Sequence, residues 1–217
     1  MSRQLSIDVF FEFICPWCLI GKRQLQVAIQ KLNRSHPDVE VVLNWKGVQL
    51  LTQIPADGIP FQAFYLQRLG SSVAVRMRQA QVRQAAGMVG VEIDFEKIPR
   101  MPNTAKAHQF FKNALEMSNP IQADRLLEGL FSAYFHHSEN ISDIAVLQKI
   151  ATYCGFEEDA IARISDVPDH LFISADTGGK GVPYFVFDGG FAMAGAQPAD
   201  VLYKAMLEAL AAQGQPA

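Results

Sequence analysis

Two cysteines separated by two residues, Cys15-Pro16-Trp17-Cys18, stand where the chain changes its hydrophobic period, and that junction limits the folds open to it. Before it, Leu5, Ile7, Val9 and Phe11 alternate with Ser6, Asp8, Phe10 and Glu12, the period of a strand with one well-buried face. After it, Cys18, Gly21, Leu25, Ala28, Ile29 and Leu32 fall on one stripe of a helix predicted from about Pro16 to about Asn33. Lys22, Arg23, Gln26, Gln30 and Lys31 are assigned to the solvent side of that helix. Ser35-His36-Pro37-Asp38 punctuates, and Val39, Val41, Leu43 and Trp45 restore the alternation of a strand. The chain therefore opens β-α-β, with the cysteine pair at the first strand-to-helix turn.

The next hundred residues have a different character. From Phe61 to Ile164 the pattern predicts helices at about 61–69, 71–87, 103–117, 122–137, 143–153 and 157–164, and no strand. Gly90, Pro99, Pro102, Pro120 and Gly155 punctuate them. Leu126, Leu127, Leu130, Phe131, Tyr134 and Phe135 form the densest apolar stripe, the mark of core packing. A short helix is expected over Pro168–Ala175, then a strand over Pro183–Asp188, a hairpin turn at Gly189-Gly190, a return strand over Phe191–Ala194 and a closing amphipathic helix over Pro198–Ala212. The reading is an α/β domain formed by residues 1–54 and 166–217, with an all-helical insertion at 55–165.

A 217-residue chain that is 49 % hydrophobic can bury a core without disulfide support, and three cysteines make no disulfide framework. The Cys15–Cys18 pair must have another task. Two residues three apart on a first helical turn have Cα atoms about 5–6 Å apart, within disulfide span, so the pair can open and close without moving the backbone. Cys15 would lie at the helix N-terminus, where unpaired N–H groups and the dipole favour an anion, which makes it the nucleophile and Cys18 the resolving thiol. Pro16 fits where the helix has no internal partner for an N–H, and Trp17 offers an apolar ledge beside the sulfur.

The competing chemistry is half a zinc site. Tetrahedral zinc needs two more ligands, and Cys154 with His36, His108, His136, His137 or His170 supplies no close-spaced second pair, so no metal is expected. A net charge of −3 gives no drive onto nucleic acid or an anionic membrane. Asp8 stands before the apolar run at 9–20, Glu12 interrupts it and no cleavage pattern follows, so no export signal is read and the cytoplasm is the expected location.

Gly181-Val182-Pro183 stands directly before the strand Tyr184-Phe185-Val186-Phe187. With this motif and the CPWC, the chain resembles thioredoxin-fold thiol oxidoreductases of the DsbA superfamily, most like the FrnE-like branch that is also labelled with the 2-hydroxychromene-2-carboxylate isomerases. Asn103-Thr104-Ala105-Lys106-Ala107-His108, Leu130-Phe131-Ser132-Ala133-Tyr134-Phe135 and the stretch from Gly181 to Gln197 resemble further signatures of that branch. The resemblance implies a thioredoxin-like fold with an inserted helical domain, and a cis Val182-Pro183 peptide beside which a substrate polypeptide pairs like an added strand. Thioredoxins carry a buried acid six residues before the first cysteine. That position here is Val9, so proton transfer at Cys18 falls to water or to Glu12. Tyr184 after the proline and Gly178-Gly179-Lys180 before the motif depart from the relatives, and both touch the substrate groove.

The function expected is a thiol:disulfide oxidoreductase that exchanges disulfides with protein substrates or glutathione, with Cys15 and Cys18 catalytic. Pro16, Trp17, Val182, Pro183, Glu12 and His108 support the site or bind substrate. No resident cofactor is expected; glutathione is the candidate co-substrate, and a homodimer is compatible with this reading. Two alternatives stand beside it. One is a glutathione-dependent isomerase or transferase of the kappa or 2-hydroxychromene-2-carboxylate isomerase type, in which a serine replaces Cys15. The other is a peptide-binding or chaperone module switched by the cysteines. Cys154 ends the stripe Ile144, Leu147, Ala151 and reads as a buried structural thiol; His136-His137 suits a helix C-terminus, and Arg76, Arg78 and Arg83 read as a solvated helix face.

Overall fold

The computed structural model describes residues 3–167 and 172–214. The chain divides into two compact units, one joining Met1–Val48 to Ser174–Ala217 and the other comprising Gln49–Ile173. The divisions fall at 48/49 and 173/174, so the second unit begins six residues before and ends eight residues after the 55–165 insertion read from the sequence. In chain order the elements begin with β1 (Arg3–Phe11), α1 (Pro16–Ser35) and β2 (Val39–Gly47). The second unit follows with β3 (Ile59–Pro60), α2 (Phe61–Leu69), α3 (Ser72–Gly87), β4 (Arg100–Met101), α4 (Ala105–Leu115), α5 (Pro120–Phe135), α6 (Ile144–Tyr153) and α7 (Glu158–Ile164). The first unit resumes with β5 (Tyr184–Phe187), β6 (Phe191–Ala194) and α8 (Ala199–Gln213).

In the first unit the sheet order is β2-β1-β5-β6, with β1 parallel to β2 and antiparallel to β5, and β6 antiparallel to β5. The register sets Phe11 opposite Gly47 and Phe10 opposite Tyr184, so the ends of β1 and β2 and the start of β5 meet at one end of the sheet. The period-2 residues Leu5, Ile7 and Val9 point inward with Phe185 and Phe187 and pack with Leu25, Ala28 and Leu32 of α1 and Leu202, Ala205 and Met206 of α8. Burying side chains of this size stabilises the fold by about 1.5–3 kcal/mol each relative to leaving them exposed. Around that core α1 and α8 are tied together by a Lys31–Asp200 ion pair and by the Ala199 N–H, which donates to Gln24 Oε1 at 2.8 Å.

The second unit carries helices α2 to α7, and the α5 stripe Leu126, Leu127, Leu130, Phe131, Tyr134 and Phe135 is buried. Two expectations need correction. A two-residue strand does occur after Phe61: Arg100–Met101 pairs with Ile59–Pro60, held there because the Arg100 guanidinium donates to the carbonyls of Asp57 (2.9 Å) and Gly58 (3.1 Å). The helix expected over Pro168–Ala175 falls at 168–171 outside the described residues, and Phe172–Ala175 is irregular. The Ala175 N–H donates instead to the Gly47 carbonyl at 2.9 Å, which removes it from any helical bond. Among the described residues no helix is long and apolar enough to cross a membrane.

Candidate active site

The site is built where β1 hands the chain to α1. Glu12, Phe13 and Ile14 are buried, the Cys15 N–H donates to the Glu12 carbonyl at 3.1 Å, and Cys15 becomes the N-cap of α1 with extended backbone, φ −90° and ψ 108°. Its carbonyl accepts the Cys18 N–H at 3.0 Å and the Leu19 N–H at 3.4 Å. Pro16 begins the helix, and no side chain caps this end. The Cys15 sulfur therefore belongs to the residue at the positive pole of a 20-residue helix. Cys15, Pro16 and Trp17 are half-buried and Cys18 is buried; both members of the pair are thiols.

The two sulfurs occupy different environments. Burial pushes the Cys18 thiol well above its ordinary value of 9.0, and a hydrogen bond with Cys15 and the Cys15 charge act in the same direction. A hydrogen bond from the Glu12 backbone draws it down, while the Glu12 carboxylate raises it. The protonated form of Cys18 is thereby favoured.

The second wall comes from residues 181–195 of the same unit. The Val182–Pro183 peptide is cis, and the Cys15 thiol lies 3.9 Å from the Val182 carbonyl oxygen, to which it donates. The Pro183 carbonyl accepts the Gly195 N–H at 2.8 Å, which secures this loop just beyond β6. Among the described residues no backbone hydrogen bond engages the Val182 N–H.

Sequence reasoning missed two residues here. A β-carbon on Gly21 would lie 3.0 Å from Pro183 Cγ, 3.4 Å from Pro183 Cβ and 3.3 Å from Phe185 Cζ. Glycine lets α1 lie directly against the proline; the pairing of a helical glycine with a proline before a strand was the available signal. Lys22 was assigned to solvent and is instead 2 % exposed. Its position follows Cys18 at i+4 and so shares the buried stripe of Cys18, Gly21 and Leu25; its charge, not its spacing, led the reading outward. Glu12, 0 % exposed, is the other buried charged residue of this unit's motif.

Seven of the eight candidate residues, Glu12, Cys15, Pro16, Trp17, Cys18, Val182 and Pro183, thus belong to one unit. The eighth, His108, belongs to the other, buried in α4 with its ring stacked on Phe172 at 4.8 Å between centroids. At the position of the thioredoxin acid, Val9 is a core residue, while the neighbouring Asp8 is half-buried and accepts from Asn44 Nδ2 at 2.9 Å. Cys154 follows α6, buried, its thiol raised by burial against a lowering by Arg125. Among the described residues no group of three or more His, Cys, Asp or Glu could hold a metal; His170 lies outside them.

Two adjacent thiols, one half-exposed at a helix N-terminus and one buried, can interconvert between dithiol and disulfide. The model of the family described as DSBA-like thioredoxin domain matches residues 6–207 of this chain. The uncharacterized protein YwbO of Bacillus subtilis is 26 % identical over 212 residues, which cover 93 % of this chain and 96 % of that one. A crystal structure of a "probable DsbA oxidoreductase" from Streptomyces coelicolor superposes with a TM-score of 0.81 at 21 % identity, covering 98 % and 92 % of the two chains. The cytosolic disulfide reductase DsbM of Pseudomonas aeruginosa, in its structure with GSH, gives 0.61 at 18 % identity, covering 95 % and 99 %. These two structures share the fold.

Proposed function

The chain belongs to the DSBA-like thioredoxin domain family, and from that membership and the geometry of the cysteine pair we propose that it is a thiol:disulfide oxidoreductase acting through Cys15 and Cys18. The observation that carries this reading is the asymmetry of the pair: a half-buried Cys15 at the α1 N-terminus beside a buried Cys18 that keeps its proton.

In the reducing direction the Cys15 thiolate attacks one sulfur of a substrate disulfide. A Cys15–substrate S–S bond forms, the substrate S–S bond breaks, and the departing sulfur takes up a proton. Cys18, once deprotonated, attacks Cys15 Sγ; the mixed disulfide breaks, the second substrate sulfur leaves as a thiol, and the Cys15–Cys18 disulfide remains. Two electrons pass from the pair to the substrate, and the reverse sequence oxidises a dithiol. Glu12 is the acceptor we assign to the Cys18 proton, because its backbone and its charge both reach that thiol. The Val182 N–H, free of backbone partners among the described residues, and the Val182 carbonyl beside Cys15 offer a polypeptide substrate one donor and one acceptor in the manner of an added strand. Protein disulfides are the substrates assigned; glutathione is the small thiol that returns the pair to the dithiol form, and the cytoplasm is the compartment.

Insulin reduction by wild type and by Cys15→Ser tests this reading, with Cys18→Ala expected to trap mixed disulfides. Absence of thiol-dependent turnover in wild type would overturn it. A glutathione-stimulated isomerisation surviving in Cys15→Ser would establish the isomerase class instead.

A further inference from the structure

We propose that the exposed face of α3 is a docking surface for an acidic, amphipathic segment of a partner polypeptide. This surface belongs to the second unit and stands independently of the redox chemistry above. Between Gly58 and Val91 the chain has no acidic residue and carries Arg68, Arg76, Arg78 and Arg83, a local charge of +4. With the whole chain at −3, the remaining residues carry −3 − 4 = −7. Among the described residues none of these four arginines forms an ion pair. Two of them stand over aromatic rings, Arg68 over Phe64 at 6.0 Å and Arg83 over Phe95 at 5.9 Å, and Arg78 donates to Gln81 at 2.8 Å.

Large apolar side chains are exposed on α3: Val73 by 54 % and Met77 by 69 %. Val73, Arg76, Met77 and Ala80 follow i, i+3, i+4, i+7 spacing and share one face of α3, while Val75, Gln79, Val82 and Ala86 fill its buried face. Arg76 and Arg78 stand on opposite flanks of the exposed apolar strip formed by Val73, Met77 and Ala80. An apolar strip edged on both sides by arginines fits a partner helix whose apolar face is edged by carboxylates. The basic residues are all arginine, whose planar fork pairs with carboxylates bidentately, and Arg with Met is the composition enriched in protein interfaces, where Lys is depleted.

The probe is a synthetic helix-forming peptide with Leu on one face and Glu on the other, labelled with fluorescein and followed by anisotropy against the full chain. Its Lys-for-Glu counterpart, vesicles containing anionic phosphatidylglycerol, and light scattering for self-association form the other arms. The Glu peptide is expected to bind and the Lys peptide not. Arg76→Glu/Arg78→Glu should weaken the Glu peptide by about tenfold or more, as like-charge contacts do at complementary interfaces. Met77→Ser should also weaken it, whereas the exposed pair Lys46→Glu/Lys204→Glu should not. Raising NaCl from about 0.01 to about 0.15 M, which shortens the Debye length from about 30 to about 8 Å, should weaken binding severalfold. Circular dichroism melts confirm that each variant is folded. Equal binding of both peptides, indifference to Arg76 and Arg78, vesicle binding in place of peptide binding, or self-association lost on charge reversal would each overturn the proposal.

Discussion

Replacing Gly21 with alanine tests how the cysteine helix and the proline loop are held together. The added methyl would lie 3.0 Å from Pro183 Cγ and 3.3 Å from Phe185 Cζ. Relaxed carbon–carbon contacts are about 3.5–4.0 Å, so the neighbours must retreat by roughly half an ångström. Neither yields easily, since Pro183 is a ring fixed in the backbone and Phe185 is fully buried. Overpacking of this kind costs about 1–3 kcal/mol, against about 1 kcal/mol gained from alanine's higher helix propensity. The net loss is about 0–2 kcal/mol, too little to unfold the chain but enough to displace the Val182 carbonyl from its 3.9 Å contact with Cys15. Since an ångström of misplacement can cost about a hundredfold in rate, a shift of half that size predicts about a tenfold loss of kcat/KM for insulin reduction. Reaction with a small aromatic disulfide, which needs Cys15 and not the groove, should change by less than about twofold. Undiminished insulin turnover in a Gly21→Ala variant of wild-type thermal stability would refute the reasoning, since the loop would then be free to give way at no cost.

Burial raises the Cys18 thiol, and with Glu12 taking its proton inside the site the mixed disulfide in single-turnover quenching experiments should resolve at a rate that varies little with pH below 9; an acceleration of about tenfold per pH unit would show that the proton leaves to solvent before attack and would overturn the assignment to Glu12. The same shift has a sign for stability. The folded, reduced protein keeps a proton that the unfolded chain releases near 9.0, so its contribution is full below that pH and is lost as pH rises through the folded value, which denaturant titration of the reduced form can measure. Glu12→Gln should slow resolution if the carboxylate accepts the Cys18 proton, and a rate that is unchanged or faster would reduce Glu12 to a charge that merely holds the thiol up. Alkylation with iodoacetamide should label Cys15 first in the native protein, with Cys154 slow and accelerating as pH rises, since it is both buried and raised; rapid labelling of Cys154 at neutral pH would contradict its placement in the core.

The fold was legible where a single periodicity ran long enough to name its element. The alternation of Leu5, Ile7, Val9 and Phe11 and the stripe from Cys18 to Leu32 correspond to β1 and α1, and the helices expected at 61–69, 71–87 and 143–153 differ from α2, α3 and α6 by at most one residue at an end. Shorter or non-local structure was not legible. The β3–β4 ladder depends on an arginine reaching the carbonyls of Asp57 and Gly58 more than forty residues away, and neither Ile59-Pro60 nor Arg100-Met101 has a local pattern. The irregular course of Phe172–Ala175 likewise follows from one tertiary hydrogen bond, between Ala175 and Gly47.

At the site, the cysteines were readable because their chemistry and spacing are local, whereas the residues that set their environment were not. Lys22 sat in plain view on the buried stripe and was moved outward because a charge is rarely buried without compensation. Its 2 % exposure, with Glu12 at 0 %, means that the charged residues flanking the cysteine pair in sequence lie inside the protein, and the charge of Glu12 reaches Cys18. A buried lysine and a buried glutamate are each costly to maintain. In the proposed exchange this arrangement suits Cys18 as the resolving thiol. A resolving thiol must be dry enough to stay protonated while the substrate is held, yet it needs a base within reach when it attacks, and polar groups enclosed beside it provide that base without admitting water. The same requirement accounts for Gly21: closing the other side of the pair with Pro183 requires that α1 carry no side chain at the contact. Cys15 stays half-open between these two enclosures, the more accessible sulfur of the pair and the one the proposed exchange presents to substrate.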